Sequence, residues 1–400
     1  MRIADFALER YFARWEFAVE HVLCASDVQG MSMADVLALA DDETRDLWDR
    51  LTLGYTEATG HPLLRREIAT LYGDPATSAD PATSAARDRT ATDPLTAADP
   101  LTPDDVLVFA GAEEAIFCLA NVLLGPGDHS IVTWPGYQSL YEVARATGAD
   151  VTLHELREDA GWAIDLHLLR AQVTPSTRLI VVNAPHNPTG MLPDRATFDG
   201  LVEIAVEAGA HLLVDEVYRY LEFDESERLP AAAAALPRGI SLGVMSKSFA
   251  MPGLRIGWLA TRDRELLARC AAFKDYTTIC SAAPSEILAL IGLRARETVL
   301  ARSREIVMDN LARLDVFFDE WADRFSWVRP RAGSVGFPRL TVPGVSIDDW
   351  AAGLVDSTGV LLLPGSQFGF GGNHFRIGLG RTDLPVALDR LEDYAAATLR

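Results

Sequence analysis

Lysine is nearly absent from this 400-residue chain: of 36 basic residues, only Lys247 and Lys274 are lysines. Arginine serves solubility as well as lysine does, but its guanidinium stays protonated at any ordinary pH. A lysine kept in such a chain therefore stands out as a candidate for amine chemistry. Cysteine is scarce too. Cys24, Cys118, Cys270 and Cys280 have no CxxC or CxxxC spacing, so buried free thiols are expected rather than disulfides or zinc. HExxH, a P-loop and GxGxxG are missing, and Gly369, Gly371 and Gly372 read as an ordinary loop. No metal site is expected. No apolar run approaches the ~20 residues needed to span a bilayer. A net charge of −21 argues against binding nucleic acid through a basic surface. The start, Met1-Arg2-Ile3-Ala4-Asp5, lacks a charged region followed by an apolar one, so a cytoplasmic protein is expected, with no membrane partner.

What is present suits a large core: 49% of residues are hydrophobic and 23% charged. Lys247 sits between Ser246 and Ser248, just after the apolar run 240–244. Pro252-Gly253-Leu254-Arg255 and a second apolar run, 256–260, follow. That pattern describes a lysine on a tight turn at a sheet edge, where a deprotonated amine can form a Schiff base with a carbonyl. Taken alone, it could also be a surviving surface lysine. Residues 105–109 read as a buried strand, 110–115 as a break and 116–124 as a helix. Strand, glycine turn and helix N-terminus together make an anion-binding geometry. A strand at 130–134 leads into Pro135-Gly136-Tyr137, and the run Leu179 to Val182 into Asn183-Ala184-Pro185-His186-Asn187-Pro188-Thr189-Gly190. His186 fits a pocket or a plain turn equally well.

A further strand, 211–214, ends in Asp215-Glu216-Val217-Tyr218. An acid at the end of an apolar strand is costly unless it is paired. Strand alternation favours Asp215 over Glu216 as the inward acid. Residues 5–23 carry apolar side chains at helical spacing, with Glu16 within the segment and Asp27 just beyond it. These acids read as solvated charges on an amphipathic helix and its exit. Residues 73–103 repeat Asp-Pro-Ala-Thr-Ser-Ala and then Asp-Pro-Leu-Thr, a composition too small and proline-rich to offset its ordering entropy. A mobile insertion is expected there. From 284 to 325 the pattern predicts long helices, with strands at 328–340 and 359–364 and covering helices at 347–355 and 384–398.

Ser246-Lys247 followed by Gly253-Leu254-Arg255-Ile256-Gly257 resembles the cofactor-lysine motif of class I/II aminotransferases, which are pyridoxal 5′-phosphate (PLP) enzymes of fold type I. Tyr55-Thr56-Glu57-Ala58-Thr59-Gly60 with Leu64-Arg65, the Asn187-Pro188-Thr189-Gly190 turn, Asp215 with Tyr218, and Phe375-Arg376-Ile377 match further family segments in order. The resemblance spans roughly residues 50 to 380. It implies an α/β fold with a mostly parallel seven-stranded sheet plus a small α+β domain. The expected division is 1–45 as part of the small domain, 46–285 as the PLP-binding domain and 286–400 as the small C-terminal domain.

The resemblance also implies roles. Lys247 would carry PLP and shuttle the proton, and Asp215 would pair with the pyridinium nitrogen. Asn187 and Tyr218 would bind the phenolic oxygen, and Tyr137 would stack on the ring. The amides of Ala112 and Glu113, with Ser246 and Arg255, would hold the phosphate. Tyr55 would reach the phosphate of a partner copy in a homodimer with shared active sites. Arg376 would clamp the α-carboxylate of an amino acid substrate, while Glu16 and Asp27 would meet a cationic group of it. Transamination is the implied reaction. Residues 24–32 do not reproduce the family's LxxGxP segment. Elimination, replacement or cyclisation on a cationic amino acid is therefore a second expectation. It follows capreomycidine synthases, which act on hydroxyarginine, and enzymes that act on S-adenosylmethionine. A PLP-sensing regulator is the remaining one, but no DNA-binding module fits before residue 50.

Overall fold

Short apolar runs rich in β-branched residues assemble the centre of the molecule, because strands buried on both faces need apolar side chains on both. In the computed structural model, residues 2–73 and 100–399 are described. The runs become β1 (Val106–Phe109), β2 (His129–Trp134), β3 (Asp150–Glu155), β4 (Thr177–Asn183), β5 (His211–Asp215), β6 (Gly239–Val244) and β7 (Gly257–Ala260). They form one seven-stranded sheet in the order β1-β7-β6-β5-β4-β2-β3. Neighbours from β3 to β6 are parallel, whereas β7 runs antiparallel to both β6 and β1. The strand β3 is more polar and more exposed than the interior strands, as an edge strand should be. Helices such as Ala112–Leu123 and Arg195–Ala208 return the chain between strands and cover the sheet's two faces.

Beyond the sheet, helices Ala283–Arg294 and Arg296–Glu320 carry the chain to a second, smaller set of strands. These are β8 (Phe325–Ser326), β9 (Val335–Gly336), β10 (Arg339–Leu340), β11 (Leu363–Pro364) and β12 (Phe375–Gly378). Strands β11, β12 and β9 pair in that order, and β10 pairs with β8. The extended strands predicted over 328–340 and 359–364 are thus reduced to two-residue pieces, since loop contacts take up their remaining backbone groups. Helices Ile347–Thr358 and Leu384–Thr398 cover this layer close to where the pattern placed them.

The N-terminal helix is shorter than its apolar spacing suggests, running from Ala7 to Trp15 only. Beyond it the backbone turns to pair with the smaller layer. His21 N–H donates to Gly359 O at 3.1 Å, Gly378 N–H to Leu23 O at 2.7 Å and Gln29 N–H to Gly380 O at 2.7 Å. A side chain at Gly378 would place its Cβ 2.1 Å from Ala25 O, so only glycine admits this strap.

The repeat-bearing stretch 74–99 lies outside the described residues. Its downstream flank belongs to the fold, which narrows the expected 73–103 boundary. Leu101 is buried, and Thr102 and Asp105 form a capping box around the turn Pro103–Asp105. Among the described residues, no helix is long and apolar enough to cross a membrane.

Candidate active site

The carboxyl ends of β1, β2, β4, β5 and β6 meet along one rim of the sheet, the place where open α/β sheets bind ligands. A cavity of about 730 Å³ opens there. Its wall carries Ala112, Glu113, Tyr137, Asn187, Asp215, Tyr218, Ser246, Lys247, Arg255 and Arg376, together with Glu16 and Asp27. Of the residues anticipated from the sequence, Tyr55 alone is not on it: Tyr55 is 90% exposed on the outside of this chain.

Lys247 follows β6 on a loop closed by backbone bonds from Ala250 N–H to Lys247 O (3.0 Å) and from Met251 N–H to Met245 O (2.9 Å). Its Nζ donates to Ser26 Oγ at 2.8 Å and lies 5.8 Å from the centre of the Tyr218 ring. Lys274 is placed quite differently. Its Nζ donates to Ala58 O at 3.0 Å and Ile279 O at 2.8 Å, away from the cavity.

Asp215 and Glu216 separate as strand alternation requires. Asp215 ends β5 and lines the cavity, accepting a 3.2 Å bond from Val217 N–H. No basic side chain forms an ion pair with it among the described residues. Burial raises its carboxyl to about 7, against the smaller opposing pulls of that amide and of Lys247. Glu216 instead accepts from Ala232 N–H at 2.9 Å and Ser241 Oγ at 2.8 Å, with Arg219 at 3.8 Å. It is a structural acid. His186 is also structural: it contacts Thr189 Oγ1 at 2.8 Å, and burial lowers its pKa to about 3.

Arg376 on β12 is buried. Its Nε donates to Cys24 O at 3.0 Å and its Nη1 to Asn187 Oδ1 at 3.2 Å. The rings of Phe12 and Phe368 flank the guanidinium at 5.6 and 5.8 Å. Among the described residues it has no carboxylate partner, which is costly for a buried cation. A planar anion arriving from the cavity would supply one.

These features fit a PLP enzyme, and comparison with known proteins decides the family. A model described as "Aminotransferase class I and II" matches residues 22–391. The chain belongs to the class I and II aminotransferase family. It is 32% identical to the arginine–pyruvate transaminase AruH of Pseudomonas aeruginosa over 306 residues, 74% of this chain and 76% of that protein. It is also 32% identical to the capreomycidine synthase of Streptomyces vinaceus over 268 residues, 66% of this chain and 67% of that one. A PLP-dependent aminotransferase from Streptococcus suis superposes with a TM-score of 0.87 at 29% identity, covering 99% of both chains. As a member of this family the chain is a transferase-class enzyme that uses PLP.

The cavity itself fits that cofactor. Tyr218 Oη is buried and has no hydrogen-bond partner among the described residues, leaving a donor for a ligand oxygen. Asp215 is a buried acid awaiting a cation. At the other end, helix Ala112–Leu123 points its first amides at the cavity beside Arg255. Gly257 makes that approach possible, because a Cβ there would fall 2.8 Å from Ala112 N.

Several wall residues had no role assigned from the sequence. Ser26 holds Lys247, and Ser334 Oγ fixes the strap beneath it by donating to Ser26 O at 2.7 Å. Asn183 pairs in register with Asp215, donates to Asp215 O at 2.9 Å and accepts from Asn187 N–H at 2.6 Å. Arg381 binds Asp27 at 3.0 Å. Asp27 thus stands on the wall, as expected for a residue facing a substrate, but already paired with an arginine. Glu9, at helical spacing from Phe12 and Glu16, also lines the wall, a pattern the sequence did carry.

Proposed function

We propose that this protein is a PLP-dependent aminotransferase acting at Cα of an amino acid, with Lys247 as the cofactor lysine. The placement of Lys247, Asp215 and an anion-seeking Arg376 on one cavity wall carries the reading. Bound PLP supplies an electron sink for the bond broken at Cα. The chain's own residues supply the rest. Asp215, ionised beside the pyridinium nitrogen, would keep that nitrogen protonated. Tyr218 Oη would donate to the phenolic oxygen, and Asn187 would do the same through its amide. Tyr137 offers its ring face as a stacking surface. The amides of Ala112 and Glu113, Ser246 Oγ and Arg255 form the phosphate end. Arg376 binds the substrate α-carboxylate, which orients the Cα–H towards Lys247. Once the substrate's amino group has displaced it from the cofactor, the freed lysine amine would take the Cα proton as general base and deliver it to C4′ of the cofactor as general acid.

The same reading makes the enzyme a homodimer, because Tyr55 is exposed here and would complete a partner's phosphate site. It also divides the chain into a PLP-binding unit over 46–285 and a smaller unit formed by 1–45 with 286–400. Loss of a β or γ substituent followed by ring closure is a second reading. Glu9 and Glu16, acids on the wall without an ion pair among the described residues, are compatible with it, since they suit a cationic substrate such as hydroxyarginine. The experiment is to incubate holoenzyme with arginine, alanine or 3-hydroxyarginine, each with pyruvate, and identify the products. A 2-oxo acid with matching alanine from pyruvate supports transfer. A cyclised or dehydrated amino acid, with no amino group passed to pyruvate, supports the second reading. No turnover of any of them refutes both for these substrates.

A further inference from the structure

The cavity mouth carries a charge pattern that the PLP reading leaves unused. One face of the N-terminal helix Ala7–Trp15 and its flanks forms this side of the wall through Phe6, Glu9, Phe12 and Glu16. Their spacing of three and four residues stacks them along one stripe. The helix is fastened in place rather than lying loose. Ala7 N–H donates to Gln138 Oε1 at 2.9 Å, Gln138 Nε2 to Asp5 O at 2.8 Å and Tyr11 Oη to Leu362 O at 2.9 Å. The Phe6 ring packs against Tyr137 at 5.2 Å, and the Tyr137 hydroxyl points at Glu9 Oε1, 3.4 Å away.

The wall's other acids are engaged elsewhere. Asp27 is held by Arg381; Glu113 lies at the phosphate end by the helix N-terminus, where its Oε2 accepts from Ser139 Oγ at 2.5 Å and its Oε1 is buried without a partner. Glu9 and Glu16 have no arginine, lysine or histidine in ion-pair contact among the described residues. Burial, and then the neighbouring Asp27 and Glu9, raise the pKa of Glu16 above the ordinary carboxylate value. A cation seated beside it would relieve both effects.

A second observation comes from the same cavity: Arg376, 1% exposed, lines it with no carboxylate partner among the described residues, which calls for the anionic end of a ligand. Phe12 connects the two ends of the site, since its ring lies 5.6 Å from the Arg376 guanidinium. Glu9 and Glu16 flank Phe12 by about one helical turn, about 4.5 Å and about 6 Å along the axis respectively.

We propose that Glu9 and Glu16 are specificity residues that select an amino acid with a guanidinium or ammonium group at the far end of its side chain. Arg376 takes the α-carboxylate and the two glutamates take the distal cation. The rings of Phe6 and Phe12 line the aliphatic stem and offer cation–π contact to a guanidinium. An acidic side chain would meet two like charges there and be rejected. This rests on the PLP reading for the α-amino end, and the test separates the two.

The test is titration of holoenzyme with L-arginine, L-alanine and L-glutamate, read by the change in the cofactor's visible absorbance. It is repeated for Glu9→Gln, Glu16→Gln and Glu16→Arg. Arginine should bind the parent at least roughly tenfold more tightly than alanine, with glutamate weakest, as expected for charge-assisted hydrogen bonds. Each glutamine variant should lower the arginine-to-alanine affinity ratio about three- to tenfold, and Glu16→Arg should move the preference towards glutamate. Glu9 is exposed, so Glu9→Gln tests the idea without risk to folding. Alanine or glutamate matching arginine in the parent overturns the specificity proposal but leaves the PLP reading intact. So does an unchanged ratio in both glutamine variants. No absorbance response to any of the three overturns the proposed reaction at Cα of an amino acid, on which the specificity proposal rests.

Discussion

Replacing Asp215 with asparagine in the cofactor-free protein isolates what it costs to bury this carboxylate without its partner. Asp215 is 4% exposed and accepts one backbone bond, and burial lifts its pKa from 3.8 to about 7. The folded value therefore lies above the unfolded one. Between about pH 4 and about pH 7 the folded chain keeps a proton that the unfolded chain has released. Stability is highest with respect to this group below that window and falls as pH rises through it. A shift of about three units corresponds to about 4 kcal/mol at most. Asparagine carries no charge, so the cofactor-free variant should exceed the parent by about 2–4 kcal/mol at pH 8 and match it at pH 4. Loading with PLP should reverse the order at pH 8, because the ionised carboxylate then has its cation. The assay is urea unfolding followed by tryptophan fluorescence, comparing midpoints at unchanged slope. Equal midpoint differences at both pH values would refute the reasoning, as would a less stable cofactor-free variant at pH 8.

Tyr218→Phe removes a buried hydroxyl that has no partner. Cofactor-free protein should therefore be unchanged or stabilised by about 1 kcal/mol, while equilibrium dialysis finds PLP bound about tenfold more weakly. Arg376→Met replaces a buried cation lacking a carboxylate. Its melting temperature without substrate should hold or rise, and alanine affinity, read by absorbance titration, should fall by about a hundredfold. The flanks of the repeat-bearing stretch meet, since a Cβ on Gly73 would lie 4.0 Å from Pro100 Cβ. Replacing residues 75–98 with a two-residue Gly-Asn turn should thus leave solubility and PLP content within about 20% of the parent, by yield and absorbance.

Much of the site was legible because its residues sit where strand patterns stop. Asn187, Asp215 and Lys247 each follow an apolar run, and a polar group there must lie at the sheet's rim. Alternation separated Asp215 from Glu216 for the same reason. Ser26 was not legible. Its contact with Lys247 depends on a strap laid along β12, a contact across more than two hundred positions of sequence that no periodicity records. The neutralising of Asp27 by Arg381 is likewise tertiary: one arginine among many looks like a surface charge until the fold brings it to the wall. Over 5–23 the apolar spacing outran the helix, because backbone pairing of His21 and Leu23 with the smaller layer drew that segment into extended structure. Glu9 was readable at its spacing from Phe12 and Glu16, but its meaning came only with the cavity it faces.

With only Lys247 and Lys274 to choose between, the central claim has a direct chemical test. Protein incubated with PLP, reduced with borohydride, digested and analysed by mass spectrometry should carry the reduced cofactor on the peptide containing Lys247. Lys274 should be unlabelled, because its amine is held by Ala58 O and Ile279 O away from the cavity. Label on Lys274, or stoichiometric PLP binding with no label on Lys247, would contradict the assignment of the cofactor lysine.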